Sequence, residues 1–158
     1  MVTERKIYTL KRLKKTLAVC KKRGERIVFT NGCFDILHLG HIKYLEKAAS
    51  YGDKLVVAVN SDASVRKIKG RGRPVFPAKE RAYIVAGLKF VDYVIVFSEL
   101  TPLRLIKSLK PDILAKGADW PKAEIVGREF VESRGGEVVC IKFIKGYSTS
   151  SILNKIRK

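Results

Sequence analysis

This chain contains only two histidines, and both lie in one tetrapeptide, His38-Leu39-Gly40-His41. Three residues apart, two imidazoles share one side of a helical turn. A short apolar run, Ile27-Val28-Phe29-Thr30, precedes them, and Ile42, Leu45, Ala48 and Ala49 follow with helical spacing. The pair therefore falls where a strand gives way to a helix. A helix N-terminus offers unpaired N–H groups and a positive dipole end to an anion. Gly40 allows a ligand close to the backbone. Such a set suits a phosphate group that gains charge in a transition state. The plainer alternatives are two surface histidines or a metal pair. A metal would need further ligands, and only Cys33 and Asp35 are near in sequence.

The turn before the histidines, Thr30-Asn31-Gly32-Cys33-Phe34-Asp35, bends at Gly32, and Thr30 and Asn31 offer hydrogen bonds to phosphate. Asp35 alone reads as a carboxylate at the start of a helix, and Cys33 as a packed thiol, since no histidine is dedicated to activating it. Far along the chain, Gly146-Tyr147-Ser148-Thr149-Ser150-Ser151 precedes Ile152-Leu153. One hydroxyl there would cap a helix. Four in succession exceed that need and suit a cradle for a polyphosphate tail. Lys69, Arg71 and Arg73 belong to Lys69-Gly70-Arg71-Gly72-Arg73-Pro74-Val75-Phe76-Pro77, a loop by its glycines and prolines. Lys69 is placed to close over phosphates, whereas Arg71 and Arg73 read as solvated charge. No Walker A sequence, GxGxxG or Ser/His/Asp set occurs, so phosphate-loop ATPases, dehydrogenases and triad hydrolases find no support.

The elements that must position these residues alternate. The pattern predicts helices over 8–23, 40–51, 62–68, 78–89, 102–109 and 122–134 and a last one from Ser148. It predicts strands over 27–30, 54–60, 93–97, 113–115 and 138–141. The strands are continuous apolar runs, the sign of a sheet covered on both faces. The expected architecture is α/β and Rossmann-like: a five-stranded, mostly parallel sheet with helices on both faces. Ligands of such sheets sit beyond the strand carboxyl ends, which nominates loops 30–41, 60–77, 116–121 and 142–149.

The 158 residues fit one domain, 1–158, with an N-terminal helix over 1–24 and a core over 26–158. Cys20, Cys33 and Cys140 are odd in number and scattered, against a disulfide framework. No signal peptide or membrane-length apolar run is present, which leads to an expected cytoplasmic location and no membrane partner. Thirty-three Lys and Arg against fifteen Asp and Glu give +18. Such a surface attracts anions. Dispersed tyrosines show no nucleic-acid recognition pattern, so a solvated basic surface around a phosphate site is preferred to a nucleic-acid-binding module.

The combination Thr30 to His41, Asn60-Ser61-Asp62, Lys69-Gly70, Glu80-Arg81, Val91-Asp92, Lys116-Gly117-Ala118-Asp119 and Ser148-Thr149-Ser150 resembles the cytidylyltransferase-like nucleotidyltransferases over about residues 26–158. The resemblance implies in-line attack of a phosphate oxygen on the α-phosphorus of a nucleoside triphosphate, with His38, His41 and Lys69 catalytic. It implies that the nucleotide meets Thr30, Asn31, Gly32, Cys33, Phe34, Gly40, Arg81, Lys116, Gly117, Asp119, Tyr147, Ser148, Thr149 and Ser150. Asp35, Asn60 and Lys69 would meet the acceptor. ATP as substrate, magnesium with the leaving pyrophosphate, and a homodimer are implied as well. Within the family, Asn31 to Asp35, Val59 to Asp62 and Lys110 to Asp119 are most similar to the heptose 1-phosphate adenylyltransferases of lipopolysaccharide inner-core synthesis. In many bacteria that activity is fused to a sugar kinase; this sequence reads as the stand-alone form. FAD synthetases and glycerol-3-phosphate cytidylyltransferases are the alternatives, although the latter carry arginine where this chain has Phe143. The heptose enzymes often carry arginine where it has Tyr147.

Overall fold

A computed structural model describes residues 3–118, 121–142, 144 and 146–156. In chain order the elements are α1 (Leu10–Lys22), β1 (Ile27–Gly32), α2 (Leu39–Ala49), β2 (Lys54–Asn60), α3 (Asp62–Lys69), α4 (Ala78–Ala86), β3 (Tyr93–Phe97), α5 (Leu103–Leu109), β4 (Ile113–Gly117), α6 (Arg128–Glu132), β5 (Glu137–Ile141) and α7 (Thr149–Ile156). Short 3-10 turns lie at Glu4–Lys6 and Lys122–Glu124.

The strands form one sheet in the order β3-β2-β1-β4-β5, and every pairing is parallel. The chain steps outward from β1 to β3, then crosses back to β4 and β5 on the other side. Right-handed crossovers put the helices of these two halves on opposite faces. On one face α2 and α4 deliver Tyr44, Leu45, Ala48, Ala82, Val85 and Ala86 onto Val28, Val57, Val94 and Ala115. On the other, α1 and α5 deliver Leu13, Leu17, Cys20, Leu105, Ile106 and Leu109 onto Ile27, Phe29, Val56, Ala58 and Leu114. Central strands are therefore apolar on both faces through their middles, as in Leu55-Val56-Val57-Ala58-Val59.

The same two-residue period sets the site. Extending the rows of the α1/α5 face by one step, Phe29 leads to Asn31, Ala58 to Asn60 and Leu114 to Lys116. Polar groups thus appear where each row emerges at the carboxyl ends, beside the point between β1 and β4 where strand order reverses.

Three expectations about elements are corrected. The helix expected over 122–134 is broken: a 3-10 turn ends at Glu124, and α6 starts only at Arg128. Gly127 between them has φ 92°, and a Cβ there would lie 2.6 Å from Ile106 Cδ1, so the chain crosses α5 too closely for a continuous helix. The first helix starts at Leu10 because Ile7 bridges to Val94 and the Tyr8 N–H donates to the Val94 carbonyl at 2.8 Å. Lys69, expected in a loop, closes α3, with Gly70 as its cap at φ 86°. Among the described residues no helix is long and apolar enough to cross a membrane.

Candidate active site

His38 caps α2. Its backbone is extended, and its Nδ1 accepts from the His41 backbone N–H at 3.4 Å. A neutral ring accepting at Nδ1 carries its proton on Nε2, which leaves Nε2 as the donor. The two imidazoles stack, with centroids 3.8 Å apart and planes 21° from parallel. Burial, then the adjacent His38, push the His41 pKa down to about 4, against a weaker pull from the Ile36 carbonyl. By hydrogen-bond geometry His41 Nδ1 is buried without a partner. Burial lowers the His38 pKa as well. Near neutral pH the site therefore presents uncharged imidazoles at a helix N-terminus, where an anion would be favoured by both.

Phe34 positions His41: the rings meet edge-on at 5.4 Å. Phe34 sits in left-handed backbone at φ 45°, and its ring lies 3.0 Å from where a Cβ on Gly32 would stand. Gly32 is therefore required by close approach, and the strained Phe34 is held in place by its surroundings. Gly40 is constrained from both sides: an added Cβ would lie 3.0 Å from His38 Nδ1 and 3.1 Å from Tyr147 Cβ. This places the late segment against the histidines, although more than one hundred residues separate them in sequence. There Ser148 Oγ accepts from the Ser151 N–H at 3.1 Å, and Ser151 Oγ donates to the Ser148 carbonyl at 2.8 Å. These two serines cap α7, and Thr149 and Ser150 form its first turn.

A cleft of about 260 Å³ opens beside the strand ends. Asn31, Asn60 and Lys116 supply polar groups, and Ile68, Leu100 and Pro102 are among its apolar walls. Lys116 Nζ donates to Asn31 Oδ1 at 2.7 Å. Asn60 Nδ2 donates to Ser64 Oγ at 2.9 Å, which fixes the amide's orientation.

Several residues expected at ligands are committed elsewhere. Arg81 is 0% exposed. Its guanidinium donates to the carbonyls of Cys33, Phe76 (2.8 Å) and Asn60 (2.7 Å) and to Asp62 Oδ1 (2.8 Å). It braces the site from beneath instead of facing a nucleotide. Asp35, 1% exposed, accepts from Arg73 Nε at 2.6 Å and from the Val75 and Phe76 N–H groups at 2.8 and 3.0 Å. These bonds hold its pKa below the usual carboxylate range in spite of burial. Its oxygens are turned to the 70–77 segment and not to an acceptor. The Thr30 hydroxyl is buried against the Tyr44 hydroxyl at 2.7 Å, and the latter donates to the Ala115 carbonyl at 3.2 Å. Thr30 thus belongs to the core face and not to a phosphate. Burial raises the Cys33 pKa against the fields of Lys69, Arg81 and Arg73, consistent with a packed thiol.

The structure thus brings His38, Gly40, His41, Phe34 and Tyr147 together, and Asn31, Asn60 and Lys116 together. Lys69 is exposed near Cys33, next to the cleft residue Ile68. Gly117 ends β4. Asp119 and Phe143 lie outside the described residues. Sequence reasoning missed Arg73, Tyr44 and the cleft wall from Leu100 to Pro102. The last follows β3, and the rule that ligands sit beyond strand ends would have nominated it had that loop been included.

The cytidylyltransferase-like family model matches residues 29–154, and the chain belongs to that family, a class of nucleotidyltransferases. Among solved structures it is similar to the lipopolysaccharide core biosynthesis protein from Thermoplasma volcanium, at 34% identity and a TM-score of 0.65 over 79% of this chain and all of that one. Pantoate-beta-alanine ligase from Francisella tularensis, at 16% identity and a TM-score of 0.64 over 95% of this chain and 77% of that one, shares the fold. Curated relatives include the bifunctional protein HldE of Geobacter metallireducens, 53% identical over 98% of this chain and 31% of that protein. That of Pelobacter propionicus is 57% identical over 86% of this chain and 28% of that protein. The chain therefore spans about a third of the length of these relatives.

Proposed function

We propose that this chain transfers the AMP moiety of ATP to the phosphate of heptose 1-phosphate, giving an ADP-sugar and pyrophosphate. The observation that carries the reading is the packing of Tyr147 on Gly40, which joins the Ser148-Thr149-Ser150 segment to the stacked His38 and His41. In this reading the α-phosphate lies at the start of α2, where His38 and His41 donate to its oxygens. The β- and γ-phosphates lie at the start of α7. The acceptor lies on the Asn60 side of the cleft and the nucleotide on the side of Asn31 and Lys116, and Lys69 reaches in from the end of α3 to the phosphates of both.

An acceptor phosphate oxygen attacks the α-phosphorus in line. The new P–O bond forms as the bond to the bridging oxygen breaks, and the leaving pyrophosphate takes the electron pair. The protein's part is positioning and charge stabilisation, with no covalent intermediate. Neutral imidazoles suit this role: they donate without repelling Lys69 and gain strength as charge develops on the phosphate. The described residues hold no group of three or more His, Cys, Asp or Glu that could cage a metal. Magnesium would enter as part of the nucleotide substrate and screen the charge of the leaving pyrophosphate, and no step here is routed through it.

The sugar assignment is supported by the resemblance of Asn31 to Asp35 and Lys110 to Asp119, by relatives named HldE, and by a neighbour described as a lipopolysaccharide core biosynthesis protein. The test is pyrophosphate release from ATP, and in parallel from CTP, with heptose 1-phosphate, glycerol 3-phosphate and FMN. The expected result is turnover with ATP and heptose 1-phosphate above all other pairs. Preference for glycerol 3-phosphate or FMN would overturn the acceptor, and release with none of them would overturn the reaction.

A further inference from the structure

The 70–77 segment has little packing of its own. Gly70 and Gly72 both have left-handed backbone, with φ 86° and 82°, and nothing lies within 4 Å of where their Cβ atoms would stand. Phe76 is exposed, and so are Lys69 and Arg71. What fixes the segment is beneath it. The Asp35 side chain is fully buried, while that of its partner Arg73 is 13% exposed. Both Asp35 oxygens are engaged, by Arg73 Nε and by the two successive N–H groups of Val75 and Phe76. Arg81 holds the Phe76 carbonyl from the other side, and its bond to Asp62 ties down the first turn of α3, the helix that ends in Lys69.

We infer that Asp35 is a positioning residue: it pins segment 70–77 from below and thereby sets where Lys69 stands at the site. This rests on the proposed role of Lys69 in phosphate transfer. A buried carboxylate with three donors from one segment is a fixed point, since losing its charge leaves those donors poorly paired. Asp35 lies three residues before His38, so a single turn of chain links the pinned segment to the imidazoles. The loop lysine and the histidines are in this way referenced to one anchor, although they lie on different elements.

The test has two readouts. The first needs no substrate: limited trypsinolysis at Lys67, Lys69 and Arg71 of the full chain. Asp35→Asn is expected to speed cleavage in this segment about tenfold, because local opening becomes easier, with little change elsewhere in the digestion pattern. Arg73→Gln, which removes the pin from its more exposed end, is expected to do the same, and it serves if Asp35→Asn does not fold. Asp35→Glu, which keeps the charge, is expected to restore part of the protection. The second is a double-mutant cycle on kcat with the preferred acceptor. Asp35→Asn is expected to lower kcat about tenfold in the parent and to have almost no further effect on Lys69→Ala, since both act through the same ammonium. Unchanged protection in both variants would overturn the pin. Faster cleavage with multiplicative effects on kcat would overturn the link to Lys69 and return Asp35 to the acceptor. An absence of pyrophosphate release with every acceptor would sink the proposed function and leave the proteolysis result to stand by itself.

Discussion

Lys116 Nζ donates to Asn31 Oδ1 at 2.7 Å, joining the ends of β4 and β1. The bond spans the two parallel strands between which the strand order reverses, beside the cleft. If the pair acts as one unit on substrate, its members should not be additive. Lys116→Met and Asn31→Ala are each expected to lower kcat/KM about tenfold, and the double variant by little more than either single one. A hundredfold loss in the double variant would mean that the two residues act independently.

The histidines should matter to turnover more than to folding. His38→Ala and His41→Ala are expected to cut pyrophosphate release by about a thousandfold, the scale of losing a donor to developing charge. Circular dichroism should remain that of the parent. His41→Ala should also lose some stability, because the ring packs edge-on against Phe34. Retained turnover in both would remove the basis for the mechanism.

Gly40 offers a separation of activity from stability. Alanine is the better helix former by about 1 kcal/mol, but the new methyl would press on His38 at 3.0 Å and on Tyr147 at 3.1 Å. Gly40→Ala is expected to leave the melting temperature within a few degrees of the parent while reducing kcat about tenfold or more. Kinetics and thermal melts on one preparation check both.

The pH response follows from His41. Its folded pKa of about 4 lies below the ordinary histidine value, so between the two the folded chain binds fewer protons than the unfolded one. Stability then rises with pH through that window and falls as pH drops from about 6.5 toward 4, by at most about 3 kcal/mol. Urea unfolding at pH 5 and 7.5 should show the difference, and His41→Gln should flatten it. Binding a triphosphate favours the protonated rings, so nucleotide affinity should increase as pH falls over the same range. Calorimetric titrations at pH 5 and pH 7.5 check this; near neutral pH the rings donate while uncharged, so little proton uptake is expected there.

Arg81 is expected to carry stability. Four hydrogen bonds converge on a fully buried guanidinium. Arg81→Lys keeps the charge but loses the planar fork, leaving buried carbonyls unpaired. A loss of about 3 kcal/mol in chemical denaturation is expected. A much smaller loss accompanied by a large rise in the KM for ATP would point instead to nucleotide contact.

Much of the molecule was legible in the chain. The alternating apolar runs give the five strands because a sheet covered on both faces has no polar side to display. The anion site at His38 to His41 follows from a strand running into a helix. Other residues were misread. Arg73 passes for a solvated loop charge and Asp35 for a helix-start carboxylate, because local sequence does not reveal that they face each other although 38 positions apart. Thr30, a plausible phosphate donor by type, points to the opposite face of its strand. Parity along β1 decides this, but only once it is known which face opens on the cleft.

Residue types, their periods and their local turns were fixed by the chain itself, because helix capping, strand alternation and glycine backbone freedom act over a few neighbours. Tertiary structure alone decided the order β3-β2-β1-β4-β5, the approach of Tyr147 to Gly40 and the enclosure of Arg81. These depend on how two sets of helices bury opposite faces of one sheet. That is a balance of packing and desolvation over contacts far apart in sequence, and no local pattern encodes it.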